Sequence, residues 1–134
     1  DATLNLTTEV RINFKGNTDE PTTNTESQKL SGVAKTLKTF PQSQVTLTGN
    51  TGADPGNPNN LPTGTSPAVL NSPATLNGQP ATTGDLMKAR AEAVKKMLNK
   101  DFKINNNRMN TRAGSQYDNP AGRRVDVKIT GIKL

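Results

Sequence analysis

An arginine is set into the apolar face of a helical stretch, Leu86-Met87-Lys88-Ala89-Arg90-Ala91-Glu92-Ala93-Val94. Residues three or four apart share a helix face, which groups Leu86, Arg90, Val94 and Met97, with Met87, Ala91 and Leu98 beside them. A guanidinium has only donors and keeps its charge, so one aimed inward must meet a carboxylate or carbonyls, in the protein or on a ligand. The alternative is a place at the edge of the stripe, from which the side chain snorkels to water.

The acidic partners within reach along the chain are few. Asp54 precedes Pro55 and reads as a turn residue or as a carboxylate that a loop carries towards Arg90; Asp85 reads as a cap or dipole partner at the helix start. Arg123 and Arg124 adjoin an alternating strand, so one is expected to point towards the helices and one away, as support for a site or as surface charge. Asn105, Asn106 and Asn107 read as a turn.

Other chemistries are removed by composition. The chain has no Cys and no His, which excludes disulfides, thiol nucleophiles, the commonest general base and the commonest transition-metal ligand. Ser, Thr, Lys and carboxylates remain, but no spacing sets a nucleophile beside a base, so no catalytic residue, metal ligand or cofactor is expected. A net charge of +6 favours anionic surroundings. Nucleic acid is not expected: Phe14, Phe40, Phe102 and Tyr117 form no repeated stacking platform, and the basic residues are dispersed. No apolar run approaches the ~18 residues of a membrane span, and the N-terminus lacks the regions of a signal peptide.

Only 30% of the 134 residues are hydrophobic, so the core of what reads as one domain must come from a few short periodic segments. Val10, Ile12 and Phe14 alternate with Arg11 and Asn13 as in a half-buried strand, a pattern that Leu4 and Leu6 start earlier. Thr25 and Gln28 have the spacing of a capping box, Leu30, Val33, Ala34 and Leu37 share one helix face, and Pro41 prevents continuation. Val45 and Leu47 mark a strand ending at Gly49. Most of the nine prolines lie between Gly52 and Gly84 among many Asn, Thr and Gly, which predicts an irregular surface excursion tacked down by Leu61, Val69, Leu70 and Leu76. A helix over about Asp85 to Lys100 and strands over about Arg108 to Ala113 and Val125 to Ile129 complete the order βαβαββ. Helices on one face of a mixed sheet satisfy every amphipathic element, giving an α/β two-layer sandwich.

These pieces resemble the OmpA-like peptidoglycan-binding domain family. Gly49-Asn50-Thr51 resembles its Gly-x-Thr-Asp turn, Leu86 to Val94 its Leu-Ser-x-x-Arg-Ala-x-x-Val helix, and Gly122-Arg123-Arg124-Val125-Asp126-Val127 the Asn-Arg-Arg-Val-Glu-Ile start of its last strand. Ile104, Arg108 and Gly114 are similar to the stretch between them. The resemblance implies one OmpA-like domain over residues 1–134 with a Pro/Asn/Thr/Gly-rich insertion at 53–84. It also implies noncovalent binding of the diaminopimelate-containing stem peptide, anchoring an envelope protein to the wall in the periplasm beside the outer membrane. Carried onto this chain, the carboxylate partner falls on Arg90, as a planar fork suits. Thr51, Asp85 and Arg123 fall around it. The family's aspartate falls on Gly52, so Asp54 stands as the substitute; the family's capping asparagine falls on Thr83, its serine on Met87 and its last asparagine on Gly122. The competing expectation is a module that keeps the fold, has lost the wall ligand and meets protein partners in the envelope.

Overall fold

A computed structural model describes residues 2–52, 65–117 and 119–133. The strands are β1 (Thr3–Asn13), β2 (Gln44–Gly52), β3 (Pro73–Leu76), β4 (Gln79–Thr82), β5 (Met109–Tyr117) and β6 (Arg124–Lys133). The helices are α1 (Ser31–Thr39), α2 (Pro67–Leu70) and α3 (Thr83–Phe102). Four strands form a mixed sheet in the order β1-β6-β2-β5, with β2 parallel to β5 and antiparallel to β6; β3 and β4 form a separate hairpin.

The period-two pattern of β6 puts Val125, Val127 and Ile129 on one face, where they meet Val45 and Leu47 of β2. Onto that face α1 brings Val33, Ala34 and Leu37, and α3 brings Ala91, Val94 and Leu98. The two-layer α/β sandwich is therefore as the sequence predicts. Ile12 and Phe14 are buried as well, whereas Leu4 and Leu6 stay exposed on the edge strand beyond the cover of the helices.

Two local expectations are corrected. Thr25 makes no capping bond, because the chain enters α1 through a 3-10 turn over Glu26–Leu30, and the Glu26 carboxylate instead accepts from the Asn13 amide. The reciprocal box forms at the head of α3, where the Thr82 hydroxyl accepts from the Asp85 amide and the Asp85 carboxylate from the Thr82 amide. The Gly52–Gly84 stretch is not irregular throughout. Within it, Ser66 caps α2, Val69 is fully buried, and Asn77 and Gly78 both take positive φ (52° and 82°), the turn that joins β3 to β4. Leu61 and Asp54 lie outside the described residues.

Candidate functional site

The residues singled out by sequence gather where β2 ends. Gly49 allows this: α3 crosses β2 so closely that a Cβ there would overlap the Met87 carbonyl oxygen. With helix and strand in contact, Arg90 points under the chain that follows β1. It is 1% exposed and donates to three backbone carbonyls, Nε to Thr18 (2.8 Å), one terminal nitrogen to Asn50 (2.9 Å) and the other to Lys15 (3.1 Å). Its guanidinium lies 5.8 Å from the centre of the Phe14 ring. The partner of the inward arginine is thus the protein's own backbone, and no carboxylate among the described residues bonds it.

Charge around Arg90 is not balanced. Burial, then the nearby Arg123, pushes its pKa down to about 10, while Asp19 acts in the opposite sense. It remains a cation at neutral pH. Arg123 is half-buried, with its guanidinium against Gly16, so both arginines lie against the Lys15–Thr18 turn. Arg124 faces elsewhere, bonded to Asp126 (3.0 Å) and over the Tyr117 ring (4.5 Å).

The remaining sequence candidates divide. Thr51 is buried beside Arg90's acceptor Asn50, and its hydroxyl and the Gln116 side-chain carbonyl have no hydrogen-bond partner among the described residues. Gly52 is closed off, because a Cβ there would overlap the Asn119 carbonyl oxygen and lie 3.0 Å from the Pro120 Cα. Any side chain at that position requires the 119–120 backbone to move. Asp85 is exposed and committed to the cap. Asp54 lies outside the described residues.

Sequence reasoning missed Asn50 and Asp19. Asn50 is 1% exposed and ties three strands: its amide donates to the Thr48 and Arg124 carbonyls and to Asp126, and its side-chain oxygen accepts from the Ser115 amide. A polar residue between Gly49 and Thr51 at a strand's end was the available signal. Asp19 carried none, since only the fold brings its loop to α3. The described residues contain no cluster of carboxylates able to hold a metal ion.

The chain has the OmpA-like fold. It superposes on the peptidoglycan-associated lipoprotein of Burkholderia pseudomallei with a TM-score of 0.59 and 20% identity over 90% of each chain. The OmpA-like domain of FopA1 from Francisella tularensis gives 0.58 and 17%, covering 98% of this chain and 75% of that one. A periplasmic domain of Helicobacter pylori MotB gives 0.60 and 13%, covering 98% and 76%. No family model and no curated protein matches the sequence.

Proposed function

We propose that this chain, folded as an OmpA-like domain, is a non-catalytic envelope module that holds cell-wall peptidoglycan through a carboxylate of the stem peptide. The observation that carries the reading is the convergence of Arg90 and Arg123 on one turn. Two like charges held together, one of them desolvated, gain most from an added anion, and a carboxylate suits the planar donors of a guanidinium. Arg123, half-buried where Arg90 is 1% exposed, is the first to reach the ligand, and Arg90 holds the Lys15–Thr18 turn until that turn opens. Diaminopimelate also carries an ammonium group, for which Asp19, whose charge acts on Arg90, is the available carboxylate. Thr51 lends a buried hydroxyl to the same end of the sheet.

The reading places the module in the periplasm, associated with the outer membrane, as one domain in which residues 53–84 are an insertion. No helix of the described residues is long and apolar enough to cross a membrane.

Sedimentation with insoluble peptidoglycan tests the reading. Losing a charge-assisted pair costs about tenfold or more in affinity, so Arg123→Ala should leave most of the protein in the supernatant. A folded Arg123→Ala protein that sediments as well as the parent contradicts the proposal. A second reading, a module that keeps the fold and binds proteins instead, is favoured by one observation, the closure of Gly52 by Asn119. It gains if the parent itself does not sediment.

A further inference from the structure

The β3–β4 hairpin belongs to the polar insertion, and its tip does not face solvent alone. The Asn77 amide donates to the Asn17 carbonyl (2.9 Å), the Asn77 side-chain amide donates to the Asp19 carboxylate (2.9 Å), and the Asp19 amide donates to the Asn77 side-chain oxygen (3.4 Å). The loop held in this way is the one whose Lys15 and Thr18 carbonyls accept from Arg90. It is therefore held by two groups, the buried Arg90 guanidinium and the hairpin tip.

Both grips come from one support. The base of the hairpin is fastened to the first turn of α3, where the Ser72 and Thr83 hydroxyls pair (2.7 Å) and the Thr83 amide donates to the Ser72 carbonyl (2.9 Å). Arg90 stands on the same helix, two turns along. The base of the hairpin and Arg90 are thus carried by the same helix. A purely decorative insertion has no reason to bond to the cover of Arg90, the one buried arginine or lysine among the described residues.

We propose that Asn77 is a clasp: it keeps the Lys15–Asp19 loop closed over Arg90, and its release makes the guanidinium, together with the Asp19 carboxylate, available to an external ligand. This rests on the reading of that end of the sheet as an anion site. The polar insertion then sets how readily the site opens, as a positioning element that needs no contact with the ligand.

Asn77→Gly is the suitable probe, because position 77 has a positive φ that glycine adopts without strain, so only the side-chain pair with Asp19 is removed. The readout is the rate at which phenylglyoxal, an arginine-directed dicarbonyl, modifies Arg90 in the folded chain, mapped by peptide mass spectrometry. Arg108 is the internal control, since it too is bonded to backbone carbonyls but far along the chain from the hairpin. Opening freed of one clasp should raise the Arg90 rate by about tenfold and leave Arg108 unchanged. Asn77→Asp, which sets a carboxylate against Asp19, should do at least as much. An unchanged Arg90 rate in both variants overturns the proposal, and so does an equal rise at Arg90 and Arg108, which would make the hairpin a general support of the fold. If Arg90 alone becomes reactive while neither parent nor variant sediments with peptidoglycan, the clasp stands and the wall-binding reading falls.

Discussion

The two ends of β2 each meet an arginine that is answered by backbone carbonyls, and they use it differently. At the start of the strand, Arg108 donates to the carbonyls of Leu37 (2.6 Å), Phe40 (3.0 Å) and Ser43 (2.8 Å), which belong to the last turn of α1 and the bend into β2. The Leu37 and Phe40 carbonyls stand at the negative end of a helix dipole, where a cation is welcome, and the Phe40 carbonyl also accepts from the Ser43 amide and hydroxyl. At the far end, Arg90 is more deeply buried, finds its acceptors in a loop and a strand end, and has Arg123 beside it. The first arrangement closes a helix on terms that favour the charge. The second sustains a charge against burial and repulsion, which is the condition expected of a binding site rather than of a fastening.

The largest expected effect follows from removing Arg90. Arg90→Ala leaves a cavity and three backbone carbonyls short of their donor, which should lower stability by about 3 to 5 kcal/mol in urea unfolding. Arg108→Ala should cost less, about 1 to 3 kcal/mol, because its side chain is only half-buried where that of Arg90 is fully enclosed. Equal losses at the two positions would dissolve the contrast between a strained and a comfortable cation.

Gly52→Asp sharpens the contrast from the ligand side. The Asn119 carbonyl occupies the space that a Cβ needs, so the variant should lose about 1 to 3 kcal/mol of stability and gain no affinity for a diaminopimelate peptide by calorimetry. Tightened binding would show that the 119–120 segment yields and that an ammonium partner belongs at position 52 after all.

The smallest expected effect is with pH. The folded-state pKa of Arg90 is lowered, yet at about 10 it still lies above neutrality. Below that value folded and unfolded chains hold the same proton on this group, so it adds no slope to stability; any change falls above, where the folded state releases its proton first. With no His or Cys in the chain, wall binding and thermal midpoint should both be flat between about pH 6 and pH 9. A titration of binding in that window would mean that another group carries the site.

Much of the sandwich was legible because its core rests on simple periods. Val125, Val127 and Ile129 alternate, and Leu30, Val33, Ala34 and Leu37 recur at helical spacing, so burial follows directly from pattern. Arg90 was legible as inward for the same reason. Its acceptors were not, since carbonyls of Lys15, Thr18 and Asn50 belong to every sequence and are selected only by the fold. Capping chemistry misleads at Thr25, where a 3-10 turn displaces the helix start, and is legible at Asp85, though its reciprocal partner Thr82 is not, because an aspartate takes the part of the usual glutamate. The β3–β4 hairpin hid in a Pro-rich stretch because its strands are four residues each, too short for a period to show. Leu4 and Leu6 follow the strand pattern and yet remain exposed, because alternation tells which side chains share a face and not whether a helix reaches far enough to cover them.

On this reading the far end of β2 receives an external carboxylate while the near end does not. An NMR titration of the isotope-labelled chain with a diaminopimelate-containing stem peptide tests it most directly. Saturable shifts are expected of the backbone amides of Gly16 to Glu20, of Asn50 to Gly52 and of Ala121 to Arg124, with the amides around Leu37, Ser43 and Arg108 unmoved. Shifts confined to the Arg108 end, or none at any residue up to saturating peptide, would contradict it.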